Sequence, residues 1–597
     1  MSVHQNCDNF ITYPQHLQGA TIQSIARSAK LTFNVAGAKD VDYIASLGSY
    51  GHAPQNITKA LIQRYCLDPT SPLPFPYKAQ IPMLVKSNSE CEVSVKPMEL
   101  WMYLPHDWFA LEGCNSQVLD TLFGFDSVEA FWEEHDMDND PKFFQNPIKD
   151  VHAANNQLNK LVALSLHGDA GRFHRNDSMM VISMRSLHSN ANVASSQLLL
   201  VGIPKACINK STDPNLDTMF QIWKVLKWSF THLFYGRHPP TNHMGEPWIE
   251  PERQRSRGQP FVDGWKACIF ALTGDLEYFQ NEMKLHCYSH NQCCWNCDAN
   301  KSDIPHNDFR VTAKWRATCK TAAQHRANPP TKHLVMDIPG VVGETFAYDS
   351  LHIIEEGTAS HAIANCFWDW VIGRNNPGTQ ESRCKALFES ILSKYQDLGT
   401  PSEHRIGKLS ISSFIATDAK HSSFPETSGI KARHLRYLVP VVRLLCADNI
   451  LPEAMDTNKY TQHRFECLQH LEKVYECIDH KGLHLPHALQ AKFKEHTNLF
   501  LAHYTMCCKI KLAQKKVQWN TVNKFHFMAH MPSQALYFNP KYVTTYSGET
   551  MVGFMCSLGH ACLNGTPPHL VSKQMTLRFR LALQLRVFYG SDDASDY

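Results

Sequence analysis

Leu161-Val162-Ala163-Leu164-Ser165-Leu166-His167-Gly168-Asp169-Ala170-Gly171 is the stretch on which the fold turns. A short unbroken apolar run ending in Gly-Asp-Ala-Gly reads as a buried strand that opens into a turn. Moving outward, 179–187 and 197–203 read as two further strands, each bounded by polar turn residues. Residues 216–235 then place Met219, Ile222, Trp223, Leu226, Trp228 and Leu233 at helical spacing. Lys266-Ala267-Cys268-Ile269-Phe270-Ala271-Leu272 reads as a fourth strand, ending at Thr273-Gly274-Asp275. The class is α/β, with an acid at the carboxyl end of the first strand and another at that of the fourth. That edge of an α/β sheet is where ligands and chemistry collect.

Three strands, a helix and a fourth strand follow the order of a ribonuclease-H-like sheet. Beyond about residue 300 the periodicity turns helical, with helices predicted over 358–372, 382–395, 430–446, 463–478 and 489–512, and again over 548–562 and 574–587. Residues 1–150 mix short apolar stretches with a proline-rich turn at 68–74 and an acidic aromatic patch, Phe131-Trp132-Glu133-Glu134-His135-Asp136. The expected organisation is a mixed α+β N-terminal region (1–150), a ribonuclease-H-like core whose first part (151–300) ends in a Cys-x-x-Cys pair, and a large α-helical insertion (301–518). A return to the core (519–590) and an acidic tail (591–597) complete it.

Composition narrows the functional classes. A chain of 597 residues with 43% hydrophobic and 19% charged residues is that of an ordinary globular protein with substantial cores. Its formal charge of +2 is small for a protein that grips many phosphates, which argues against a strong autonomous DNA-binding module but not against a local basic channel. The 20 cysteines are dispersed, residues 1–20 lack the pattern of a secretory signal, and no apolar run reaches membrane-spanning length. Free thiols in the nucleus or cytoplasm are therefore expected, with no membrane partner. The basic stretches 253–257 and 509–516 read as solvated faces rather than import signals.

Three constellations and two lesser signals could carry chemistry. Asp169 and Asp275 sit where buried strands open to solvent, each preceded by a glycine, and paired carboxylates are what Mg²⁺ or Mn²⁺ requires for phosphodiester cleavage. Read blandly, they are ordinary turn aspartates. Cys294-Trp295-Asn296-Cys297 supplies two thiolates at zinc spacing, with His290 the foremost partner and His286, Cys287 and Cys319 as further options. A redox pair or unliganded cysteines are the alternatives. Asp349-Ser350-Leu351-His352 could ligate a metal, orient a strand end or cap a helix. Lys524-Phe525-His526 with His530, and Glu549 at a helix start, complete the set.

In this order the pieces resemble the transposases of CACTA-type elements and related cut-and-paste families, and they look similar to transposase-like proteins abundant in dinoflagellate genomes. The resemblance runs over residues 160–565. It implies a ribonuclease-H-like core with an Asp, Asp, Glu triad matched here by Asp169, Asp275 and Glu549, with Glu426 as a rival third acid. It also implies an Asp-x-x-His motif matched by Asp349 and His352, with His352 positioning a cleaved strand. Mg²⁺ or Mn²⁺ would be the catalytic cofactor, structural Zn²⁺ would sit on Cys294, Cys297 and His290, DNA would be the partner, and the active form would be a homo-oligomer. Two other readings stay open: a decayed or domesticated scaffold, for which the missing N-terminal DNA-binding module speaks, and a small-phosphoester metal hydrolase.

Overall fold

The computed structural model describes residues 43, 46–47, 57–66, 73–86, 93–111, 116–175, 177–373, 378–415, 424–448, 459–563 and 566–589. The acidic tail and residues 68–72 of the proline-rich turn lie outside them.

The chain is mixed α/β. An N-terminal hairpin pairs β1 (Tyr77–Lys86) with β2 (Val93–Met102), antiparallel from Tyr77↔Met102 to Lys86↔Val93. Two short helices, α1 (Ser116–Phe123) and α2 (Val128–Glu134), lead to the main sheet. The acidic aromatic patch lies at the end of α2, where Phe131 and Trp132 are buried and the Trp132 indole donates to the Leu161 carbonyl at 2.6 Å. The N-terminal region is thereby packed into the hydrophobic core that runs through the main sheet to the C-terminal helices.

The main sheet contains β3 (Leu161–His174), β4 (Asp177–Ser186), β5 (Leu198–Pro204) and β6 (Lys266–Thr273) in the order β5-β4-β3-β6. β3, β4 and β5 form an antiparallel meander, and β6 adds to the other side of β3 in parallel. A parallel neighbour needs a crossover. It is provided by α3 (Thr218–Tyr235), N-capped by Asp217 through the Phe220 amide and closed by Gly236 at φ 65°. Beyond β2, the Tyr103 amide donates to the Leu200 carbonyl at 2.8 Å, which places the hairpin against the β5 edge.

The four predicted strands and the crossover helix are all present, but one boundary changes the chemistry. β3 does not end at Gly168; it continues to His174, and Asp169 lies inside it, opposite Val181 of β4. The turn-aspartate reading fails because the antiparallel hairpin with β4 keeps the chain extended after the parallel pairing with β6 has stopped at His167↔Thr273.

After β6 a short helix, α4 (Leu276–Asn281), opens a long irregular stretch. The helix-rich character expected from about 300 begins only at Leu351, as the Cys/His-bearing segment before it folds mainly into turns. There a π-helical segment, Leu351–Ala359, runs directly into α5 (Ser360–Val371), seven residues earlier than periodicity placed the helix. The wider turn of a π segment breaks the spacing that an α-helical template looks for, and such segments gather at functional sites. Next come α6 (Gln380–Asp397), α7 (Ala432–Asp448), and the long hairpin of α8 (Lys459–Ile478) and α9 (His487–Ala513). The chain returns through α10 (Asn523–Gln534), α11 (Tyr546–Ala561) and α12 (Pro568–Tyr589). α11 lies on β3 and β4, and α12 on β5 and the N-terminal hairpin.

Candidate metal centres

The first centre is an acidic cleft at the edge where β3 and β6 part. Asp169 and Asp275 each stand two residues beyond the last parallel pair, His167↔Thr273, so the register brings them to the same edge. Asp275 also caps α4, accepting from the Tyr278 amide at 2.5 Å. The backbones meet closely here. A Cβ on Gly274 would sit 2.8 Å from the Gly168 carbonyl oxygen, and one on Gly168 would sit 2.0 Å from the Tyr278 ring.

Glu549 arrives from α11. That helix can approach β3 because Gly548 faces the His167 ring, where a Cβ would fall 2.2 Å from the imidazole. One ligand atom each from His167, Asp169 and Glu549 lies within 4.8 Å of the others. His167 was not foreseen as a donor, although strand alternation places residues i and i+2 on one face and so sets it beside Asp169. Glu426 is not in this group; it lies on an exposed segment, with its carboxylate 3.9 Å from His361 Nε2 and its charge acting on Lys524.

A clamp holds this cleft together. Asp349 is buried and accepts from the Leu351 and His352 amides at 3.1 and 3.0 Å, and from the Thr545 amide and hydroxyl at 2.9 and 2.7 Å. It also meets His352 Nδ1 at 2.6 Å. A single carboxylate therefore joins the π segment to the residue before α11. His352 Nε2 is left pointing at Glu549, 3.7 Å from Oε1. Of the roles open to Asp349 and His352, the hydrogen bonds show the cap, with Asp349 closing the start of the π segment and holding the His352 ring.

The electrostatics are those of negative charge short of a counter-ion. Burial, and then the charge of Asp169, push the Glu549 carboxyl up to about 8. Burial and Asp169 also raise Asp275. Burial opposes the His352 cation, but its hydrogen bond to Asp349 and the charges of Asp349, Glu549 and Asp275 outweigh that and raise it to about 9. His167 is driven by burial down to about 4, which leaves a neutral imidazole. Glu549 Oε1 and His167 Nε2 are both buried without a hydrogen-bond partner. Orphaned atoms of this kind cost free energy unless something meets them. The oxygen-rich donor set fits Mg²⁺ or Mn²⁺, with Asp169 and Glu549 as the holding carboxylates and Asp275 beside them.

A pH dependence follows. In the metal-free protein, Glu549 is protonated more readily when folded, with a value near 8 against 4.5 ordinarily. Its contribution to stability is full below 4.5 and is lost as the pH rises through about 8. Cation binding requires the opposite form, so Mn²⁺ affinity should increase from pH 6 to about 8 with proton release on binding. Calorimetry in buffers of different ionisation heat measures this, and an affinity independent of pH would contradict it.

The second centre is buried and thiol-rich. Cys294 and Cys297 meet His526 and His530 of α10, all four fully enclosed. Cys294 Sγ is 3.6 Å from His530 Nε2; Cys297 Sγ is 3.3 Å from His526 Nε2 and 3.5 Å from His530 Nε2. The two Nε2 atoms are 3.1 Å apart. Tetrahedral zinc, at about 2.3 Å to sulfur and 2.0 Å to nitrogen, sets edges of about 3.5 Å for S···N and 3.3 Å for N···N, so the donors fit Zn²⁺. His526 Nδ1 is held by the His306 carbonyl at 3.0 Å, the outer hydrogen bond that fixes a ligating imidazole.

His290, expected as the partner, is not in this cluster. It receives the Cys287 amide at 3.3 Å and stacks on His286, ring centres 5.0 Å apart. The chain offers three His-x-x-x-His pairs, at His286/His290, His480/His484 and His526/His530, and α10 rather than the sequence neighbour swings its pair over the thiols. Among the other options, Cys287 is buried outside the cluster, while Cys319 adjoins it, hydrogen-bonded to Cys297 and His530.

No family model matches this chain, and no curated protein matches it. Among the described residues no helix is long and apolar enough to cross a membrane.

Proposed function

We propose that the chain is a transposase-like DNA strand transferase or endonuclease, built on a ribonuclease-H-like core and using Asp169, Asp275 and Glu549 to hold two divalent cations. The observation that carries this reading is the convergence of carboxylates from β3, the β6–α4 junction and the distant α11 on one sheet edge, with buried donor atoms unmet. The strand order, an antiparallel meander with a fourth strand parallel to the first, supports the core assignment.

Bound Mg²⁺ or Mn²⁺ would activate a water or 3′-hydroxyl and relieve charge on the leaving oxygen. The chain's own residues do the rest. Asp349 holds His352 by Nδ1, so its Nε2 proton faces the cleft, where it can meet a non-bridging phosphate oxygen. Lys524, whose ammonium donates to the Glu356 carbonyl at 2.9 Å, adds positive charge near Asp275 and Asp349. All three acids are half-buried rather than enclosed, so each keeps some access to solvent. The buried Cys/His cluster would hold structural Zn²⁺. DNA, a homo-oligomeric active form and a nuclear location belong to the same proposal.

Supercoiled plasmid incubated with Mn²⁺ tests it. The wild type should convert the plasmid to nicked circles and Asp169→Ala should not. Equal nicking by both would remove Asp169 from the reaction, and nicking by neither would leave the fold as a non-catalytic scaffold.

A further inference from the structure

A third group of ligating side chains lies outside both centres, in the hairpin of α8 and α9. His463, Glu466 and His470 follow one another at i, i+3 and i+7 along one face of α8; His496 and His503 stand seven apart on α9. The antiparallel crossing sets His463 against His503, with Nδ1 atoms 2.9 Å apart, and His470 against His496, with Nδ1 atoms 3.2 Å apart. Glu466 Oε2 is 2.9 Å from the same His503 Nδ1. All three residues of the first group are half-buried, and one ligand atom of each lies within 4.8 Å of the others.

Hydrogen bonding alone serves this arrangement poorly. His503 Nδ1 carries at most one proton and faces two partners, an imidazole nitrogen and a carboxylate oxygen. A cation among the three atoms satisfies all of them at once. Gln462 donates to the other Glu466 oxygen at 3.0 Å, the kind of outer hydrogen bond that fixes a ligating carboxylate.

We propose that His463, Glu466 and His503 form a zinc site that clasps α8 to α9, with three protein ligands and a fourth position open to water. Two imidazoles and a carboxylate are a borderline donor set suited to Zn²⁺ rather than Mg²⁺. The site is independent of the acidic cleft and of the Cys/His cluster, so it stands or falls apart from the strand-transfer reading.

The test is zinc counted per chain in full-length protein, loaded with Zn²⁺ and dialysed against excess Mg²⁺. His463→Gln/His503→Gln should carry one zinc fewer than the wild type, whereas His470→Gln/His496→Gln should carry the same number. With Co²⁺, the bands lost in the first variant should be visible d–d bands without thiolate charge transfer. If that double variant fails to fold by circular dichroism, Glu466→Gln, a half-buried side chain on the helix surface, replaces it. Its zinc affinity at this site should fall by about 10- to 100-fold. An unchanged zinc count in the double variant, an unchanged affinity in Glu466→Gln, or an equal loss in the His470/His496 variant would overturn the assignment.

Discussion

Glu549→Gln is expected to lower Mn²⁺-dependent nicking by on the order of 10³-fold while the protein stays folded, and Glu426→Gln to leave nicking unchanged. The size reflects the loss of one charged ligand, worth several kcal/mol at the transition state. Folding survives because Glu549 is already disposed to be neutral, held up to about 8 by burial and by Asp169. Glutamine reproduces that neutral form at every pH, so the melting temperature should match wild type near pH 4, exceed it increasingly as the pH rises from about 4.5 to about 8, and keep that excess above pH 8. Glu426 faces His361 from an exposed segment, outside the group formed by His167, Asp169 and Glu549. Full nicking by Glu549→Gln, or loss in Glu426→Gln alone, would remove Glu549 from the site.

Cys297→Ser should do the reverse and destabilise the protein severely. Cys297 lies within 3.3–3.5 Å of both ligating histidines, and all four donors are buried, so an incomplete zinc site would leave polar atoms enclosed without partners. Structural zinc contributes about 10–16 kcal/mol in small domains, and losing one of four ligands should cost on the order of 5 kcal/mol here. Chelation should give the same shift in the wild type. Cys319→Ser is the comparison, because Cys319 adjoins the cluster from an exposed position and its loss should cost little. Thermal melts with zinc quantitation decide it: a Cys297→Ser protein melting like the wild type and retaining zinc would exclude a structural metal there.

The strands, the crossover helix and the position of two aspartates at one sheet edge were legible because local pattern specifies them: apolar runs of strand length, a 3.6-residue period, acids placed just past a glycine. The extent of β3 was not, since the same Gly-Asp-Ala-Gly is a turn or a strand depending on whether β4 pairs with it. The His526/His530 pair was visible as spacing, but so was His286/His290, and only the return of α10 across the chain distinguishes them. His167 was hidden by its company, an apolar strand in which a histidine reads as a core residue. The zinc-site histidines of α8 and α9 needed the hairpin register, which no single helix carries.

The Cys/His cluster ties together points 229 residues apart, from Cys297 to His526. It stands at the neck of everything from α5 to α9, like the knot that closes a purse. Closing a loop costs free energy only as the logarithm of its length, roughly 0.6 kcal/mol for each doubling. With the neck knotted, whatever hangs beyond it could be trimmed, extended or exchanged for another helical cargo at little thermodynamic penalty. The re-entry point of α10, and with it the spot where Glu549 lands, would stay where it is.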